Sequence, residues 1–294
     1  MTRIMNENLI VLAGGASSRM KKEATSRSLS TKAIEQANTR SKGLIEIGNQ
    51  NLPFLHYLLF NARKAGFTNV FIVIGPQDTL FQQVYGSKEK NNVFNELQIS
   101  FVRQHIPKGR TKPYGTADAV FQALEQYPEL QKSSFVVCNC DNLYSIQAFN
   151  ALREEKTANA LLGYDREGLL YPPERIAKFA LMKTDSDGFL VDIIEKPSAQ
   201  ETSYYFDSQG KLRVSMNIFK FNGELFYSFL RDCPPHPERD EKELPTALLN
   251  MVNIHSKSVK VIPHSEHVID LTSKDDIETV SNYLEEHHPN GVTW

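Results

Sequence analysis

The sequence predicts an α/β protein built on a doubly wound, mainly parallel sheet, with a β-rich insertion in its second half. Two observations carry this. Between residues 8 and 139, short β-branched runs alternate with amphipathic stretches, the pattern of successive βαβ units. From about residue 159, apolar runs instead follow one another with turn residues between them. The length of 294 residues suits one large α/β domain, read here as residues 1–294 with halves of about 1–158 and 159–294.

In chain order, strands are expected near 8–13, 69–75, 98–103 and 134–139, as in Val70-Phe-Ile-Val-Ile74. Helices are expected at 53–65, opening on Pro53 and closing at Gly66, then near 77–85 and 117–125. The β-rich part has runs at 159–164, 176–182, 189–195 and 213–221, with Asp185-Ser-Asp-Gly188 as a turn. Helices near 223–231 and 241–252, strands near 258–263 and 267–271, and a last helix at 274–286 complete the reading. Residues 20–41 break the pattern: they read as a long loop, of a length that marks either a functional lid or a disordered segment.

Composition excludes several classes of function. The 33 Lys and Arg against 35 Asp and Glu give a formal charge of −2, so no bulk attraction to nucleic acid or anionic lipid is expected. Apolar runs fall far short of the roughly 20 residues that cross a bilayer, and the first residues lack a secretory pattern. With three cysteines, of which Cys138 and Cys140 stand one residue apart, neither a disulfide framework nor a zinc site is expected, and a cytoplasmic location fits.

Leu12-Ala-Gly-Gly-Ala-Ser-Ser-Arg-Met20 follows the first strand, where open parallel sheets bind ligands. Gly14 and Gly15 allow close backbone approach, Ser17 and Ser18 offer hydroxyls, and Arg19 offers a fork matched to phosphate oxygens. The run matches neither the P-loop nor the Gly-x-Gly-x-x-Gly pattern. From Arg19 to Lys42, seven basic residues face two acidic ones, which calls for an acidic ligand or describes a solvated basic loop.

Taken in order, these pieces resemble the sugar-1-phosphate nucleotidyltransferases, the NDP-sugar pyrophosphorylases. Leu12-Ala-Gly-Gly-x-x-Ser-Arg-Met is similar to their triphosphate loop, and Ser41-Lys42-Gly-Leu to their lysine segment. Tyr114-Gly-Thr-Ala resembles the nucleotide-contact turn, and Cys140-Asp-Asn142 the strand-end aspartate. Ile194-Glu-Lys-Pro197 and Ser215-Met-Asn-Ile-Phe219 resemble the sugar-contact strands, and Ile269-Asp-Leu-Thr resembles the closing metal segment.

The resemblance implies a Rossmann-like sheet with an inserted sugar-binding subdomain, and transfer of a nucleotidyl group from a nucleoside triphosphate to a sugar 1-phosphate with Mg²⁺. Arg19, Lys42 and Asp141 would be catalytic, and Asp141 and Asp270 would hold the metal. Leu12, Ala13, Gly14, Gly15, Gln104, Gly115 and Thr116 would bind nucleotide, with Gln104 tilting the choice toward a pyrimidine. Glu195, Lys196 and Asn217 would bind the sugar phosphate.

Each residue also has a structural reading: Asp141 and Asp270 as turn or helix-capping carboxylates, Lys42 as an exposed strand-start lysine, Gln104 as an exposed strand-end glutamine, Thr116 as an N-cap, and Glu195-Lys196 as an edge-strand pair. The chain departs from the family pattern at Ile176-Ala177, where a Tyr-Gly pair is usual, and in the length of the 19–42 segment. A cytidylyltransferase acting on an alcohol phosphate such as phosphocholine, and a nucleotide-sugar sensor without turnover, are the alternatives. No nucleic-acid or membrane partner is expected, and homo-oligomerisation is left open.

Overall fold

A computed structural model describes residues 7–23 and 29–294; Arg27, counted above among the basic residues, lies outside them. The strands Ser134–Asn139, Asn8–Leu12, Asn69–Ile74 and Leu97–Arg103 lie side by side and parallel, Leu12 standing level with Asn139 on one side and Val73 on the other. Their side chains alternate between two buried layers. Leu9 and Val11 enter the layer formed with helices Phe54–Lys64 and Ile146–Glu154, whereas Ile10 enters the one formed with Thr116–Gln126, Gly223–Arg231 and Leu244–Ile254. Burial on both faces explains why these strands read as continuous apolar runs rather than alternating ones.

The second half extends the same sheet as its antiparallel flank. Ile218–Asn222 runs antiparallel to Ser134–Asn139, followed by Asn159–Asp165, Arg213–Val214, Leu181–Thr184 and Leu190–Ile194, with Val259–His264 parallel to Asn159–Asp165. Among the described residues the sheet has eleven strands, and Asn92–Phe94 closes its other edge. The 185–188 turn forms as expected, the Gly188 amide donating to the Asp185 carbonyl.

Four expectations are corrected. The run at 176–182 is not one strand: Ile176 ends a short helix, Pro173–Ile176, whose first turn Pro172-Pro173 presets, and a turn leads from it to strand Leu181–Thr184. The run at 213–221 is split at Asn217, whose φ of 57° interrupts the ladder. Residues 20–41 are not one loop: they hold helix Thr31–Thr39, started by the Ser30 hydroxyl accepting from the Ala33 amide. It buries only Gln36 and Ala37, so it leaves almost no apolar periodicity to read. Finally, helix Ile146–Glu154, capped by Ser145, occupies a stretch to which the pattern assigned no element.

Candidate functional site

The chain leaves the first strand at Leu12 and passes over its carboxyl end. Ala13 still donates to the Val73 carbonyl, and the turn from Gly14 to Arg19 lies beyond it, with Ser17 in the left-handed region at φ 51°. A Cβ on Gly14 would approach Gln104 Oε1 to 3.3 Å and the Ile74 carbonyl carbon to 3.4 Å. Glycine therefore lets the glutamine lie against the loop.

This turn, together with Lys42, Gln104, Gly115, Thr116 and Asp141, lines a cavity of about 350 Å³. Leu12 through Arg19 all face it. The Arg19 side chain is exposed and takes no hydrogen bond or ion pair among the described residues.

Lys42 opens a short 3₁₀ turn, Lys42–Leu44, and is buried, not an exposed strand-start lysine. Ser41 Oγ donates to the Ala13 carbonyl at 3.2 Å, fastening this segment to the glycine turn. Lys42 Nζ donates to Asp141 Oδ2 at 2.7 Å. Asp141 caps no helix: the hydroxyl of Ser145 does that for the helix that follows.

Asp270 reaches the same neighbourhood through strand pairing. Ile269–Asp270 runs antiparallel to Asn142–Leu143, with Asp270 opposite Asn142 and the Leu271 amide donating to the Asp141 carbonyl at 2.8 Å. Burial raises the Asp270 carboxyl above its usual range, and the negative charge of Asp141 raises it further. Asp270 does not line the cavity wall; its Oδ2 accepts from Arg175 at 2.9 Å and from Thr272 at 2.6 Å. It lies six residues before helix Asp276–His287 and does not cap it.

Arg175, which the sequence reading passed over, donates also to Asp276 at 2.6 Å and stands over the Tyr171 ring at 4.3 Å. Lys112, Pro113 and Glu241 line the cavity too. Nothing in the pattern of residues 105–113 or 232–243 marks them, because both are irregular loops held together only in space. The Lys242 amide donates to the Tyr114 carbonyl, and Lys242 in turn accepts from the Ala117 amide.

Gln104 is buried, not an exposed strand-end residue; its amide nitrogen donates to the Gly115 carbonyl at 3.0 Å and to Asp118 Oδ2 at 3.1 Å. Gly115 is the N-cap of helix Thr116–Gln126 at φ 101°. Thr116 therefore does not cap its own helix. Its hydroxyl accepts from the Leu244 amide at 3.0 Å, at the start of a neighbouring helix.

The three sugar-side candidates lie elsewhere. Glu195, Lys196 and Asn217 do not line the cavity, and Glu195 Oε2 accepts from Arg239 at 2.9 Å. Lys196 and Asn217 both adopt left-handed backbone, at φ 48° and 57°. Tyr144, fully buried, donates to the carbonyls of Met216 and Asn217 and pins that turn. Such conformations in non-glycine residues cost roughly 1–3 kcal/mol each and persist where surrounding bonds impose them.

Other groups are chemically quiet. Burial pushes the Cys140 thiol up to about 12, and Cys138 also lies well above its usual range. His56 is pushed down to about 4 by burial and shares a 3.0 Å hydrogen bond with the Tyr85 hydroxyl, as a packing residue would. Among the described residues, no three His, Cys, Asp or Glu side chains gather into a metal-holding group. Two carboxylates are nonetheless what a small hard cation takes from a protein when substrate phosphates and waters complete its shell. Among the described residues, no helix is long and apolar enough to cross a membrane.

A basic glycine turn over the strand ends, facing a lysine–carboxylate pair, is an arrangement suited to a polyphosphate, and it agrees with the comparison to known proteins. Matched from the first strand to the last helix by the family model described as nucleotidyl transferase, over residues 9–287, the chain belongs to that family.

Proposed function

We propose that the protein transfers a nucleotidyl group from a nucleoside triphosphate to a sugar 1-phosphate. A monoester oxygen of the sugar phosphate attacks the α-phosphorus; the new P–O bond forms as the bond to the β-phosphate oxygen breaks, and pyrophosphate leaves. The observation that carries this reading is the convergence of Arg19, Lys42 and Asp141 on one cavity at the sheet's carboxyl edge.

In this reading, Arg19 meets the β- and γ-phosphates that become the leaving group, its guanidinium having no competing partner among the described residues. Lys42 lies deeper and places its ammonium beside the reacting phosphates while holding Asp141. The acceptor phosphate needs no strong base, because its second pKa is about 6 and it is mostly dianionic near neutral pH. Positioning and charge neutralisation then account for most of the rate.

Asp141 and Asp270 would hold Mg²⁺, whose bound charge would offset that of the phosphates. Burial, and after it the negative charge of Asp141, raises the Asp270 carboxyl, and a cation between the two would relieve that charge. Glu195 and Lys196 would take the sugar and its phosphate once Glu195 exchanges Arg239 for ligand hydroxyls.

The test is pyrophosphate release with Mg²⁺, screened over five nucleoside triphosphates crossed with sugar 1-phosphates and phosphocholine, using wild type and Asp141→Asn. Release with a sugar 1-phosphate that Asp141→Asn abolishes is the expected result. Release with phosphocholine alone would make the protein an alcohol-phosphate enzyme, and nucleotide binding with no release in any combination would make it a sensor.

A further inference from the structure

The segment that closes the chain holds the turn that opens the cavity. Lys274 is 4% exposed, and its Nζ donates to the Lys22 carbonyl at 2.6 Å, across 252 residues of sequence. It follows Asp270 by four residues and starts from a rigid base. Its carbonyl accepts from the Ile277 amide at 3.1 Å, where helix Asp276–His287 begins and buries Ile277, Val280 and Leu284. An ammonium brings three hydrogens, and taking it out of water has a cost that one backbone carbonyl offsets only in part. A methionine would fill the same space without that cost, so the bond to Lys22 is what the position uses.

That bond ends on the phosphate turn. The Lys21 amide donates to the Ser17 carbonyl and the Lys22 amide to the Arg19 carbonyl, both at 3.3 Å, so residues 17–22 fold back on themselves. The beginning of the turn is fastened at Ala13, which donates to the Val73 carbonyl and accepts from Ser41. Beyond Arg19 there are two anchors. Met20, fully buried, sets how deep the turn sits, but apolar contact is non-directional and leaves the peptide plane free to rotate. Direction comes from the Lys22 carbonyl held by Lys274, and the Lys22 amide passes it to Arg19. The Arg19 side chain has no partner of its own among the described residues, so its aim depends on the backbone beneath it.

Lys274 does not line the cavity and so acts through the turn rather than on a ligand. We propose that Lys274 is a positioning residue for the triphosphate: by holding the Lys22 carbonyl it aims Arg19 at the β- and γ-phosphates, and it ties the phosphate turn to the segment that carries Asp270. The inference rests on the nucleotidyl-transfer reading, in which those two phosphates meet Arg19.

Calorimetric affinities for UTP, dTTP, CTP, ATP and GTP, each beside its monophosphate and with Mg²⁺ present, test it on wild type, Lys274→Met, Lys274→Gln, Arg19→Ala and Arg19→Ala with Lys274→Met. The readout is the preference of each protein for triphosphate over monophosphate. A ratio within one variant is unmoved by its folded fraction, and a site that has merely loosened weakens both forms alike. Lys274→Met is expected to lower the preference about fivefold or more. Lys274→Gln, one bond too short to reach the Lys22 carbonyl, should do the same and serves where Lys274→Met fails to fold. In Arg19→Ala the preference is already low, and adding Lys274→Met should lower it no further. A preference that both Lys274 variants keep, or a Lys274→Met effect that persists in full without Arg19, would overturn the inference while leaving nucleotidyl transfer standing. An unchanged preference in Arg19→Ala would take the triphosphate off Arg19 and remove the inference with it, and silence toward all five nucleotides would end both.

Discussion

Lys42 Nζ lies 2.7 Å from Asp141 Oδ2 across 99 residues of sequence, so the lysine of the second segment and the carboxylate of the central strand form one unit. The lysine side chain is 9% exposed and the aspartate 23%, which makes the pair neither a surface ion pair nor a dry one. Removing one partner leaves the other charged in a half-desolvated place.

Lys42→Met is therefore expected to lower stability by about 1–3 kcal/mol, less than the loss of a fully buried pair because water reaches Asp141. Combining it with Asp141→Asn is expected to destabilise by less than the sum of the two single changes, as measured by denaturant unfolding. Turnover has a different expectation: Asp141→Asn loses roughly a hundredfold or more while nucleotide still binds.

Arg175 provides the second test. It bridges Asp270 at 2.9 Å and Asp276 at 2.6 Å, and the two negative charges more than offset the effect of burial on its own titration, so that its net shift is upward. Arg175→Gln leaves Asp270 buried against Asp141 and should cost about 2–4 kcal/mol. Adding Asp270→Asn should restore part of that loss. Arg175→Lys should keep only part of the stability, because an ammonium cannot meet the two carboxylates through separate nitrogens of one plane and lie flat on Tyr171. Thermal unfolding of the four proteins separates these outcomes; equal melting temperatures for Arg175→Gln with and without Asp270→Asn would remove the charge argument.

How much of this was legible beforehand follows from what each residue depends on. Gly14 and Asp141 are readable because each lies just past a strand end, and Arg19 because it closes the turn that Gly14 opens; a strand announces itself by its apolar run. Arg175 is not, because its role depends on a helix turn set by Pro172-Pro173 meeting a segment 95 residues later. Helix Thr31–Thr39 is tied to the next segment by polar contacts: Glu46 receives Lys32, Gln36 and Arg40, and the Lys32 bond, with Arg40 and Gln36 adding to it, outweighs burial and lowers its carboxyl to about 2. Hydrophobic periodicity does not register such a helix. Glu195 was legible as a motif, but its partner Arg239 lies in a loop with no pattern.

Gly115 supplies a third test. At φ 101° it sits where side-chain-bearing residues are strained, and a Cβ would run into the Lys242 carbonyl. Gly115→Ala should cost at least about 2 kcal/mol and separate the 110–117 loop from the 236–244 loop. Gly14→Ala is expected to behave differently. Its Cβ would press on Gln104 Oε1 at 3.3 Å without a forbidden φ, so nucleotide affinity should fall several-fold with little change in melting temperature. Calorimetric binding beside thermal unfolding distinguishes the two; a Gly14→Ala protein with unaltered affinity would place the base away from Gln104.

His56 gives one contribution to the pH dependence of the fold, beside His267 and His288, which burial also lowers. It packs edge-on to Phe94 and Trp294 and shares a hydrogen bond with Tyr85, and burial holds its pKa at about 4 against an ordinary 6.5. Between those values the unfolded chain binds a proton that the folded chain refuses. Stability from this group is thus complete above about pH 6.5 and is lost progressively as the pH falls toward 4. With the ring partly open to solvent, a loss of about 1–2 kcal/mol is expected over that window. His56→Phe keeps the aromatic packing and has nothing to titrate, so it should be the less stable protein at pH 7.5, where the Tyr85 hydroxyl has lost its partner, and should close or reverse the gap by pH 4.5. Urea unfolding of both proteins across this range measures the gap directly; curves that stay parallel would mean that His56 takes up its proton without opening the core.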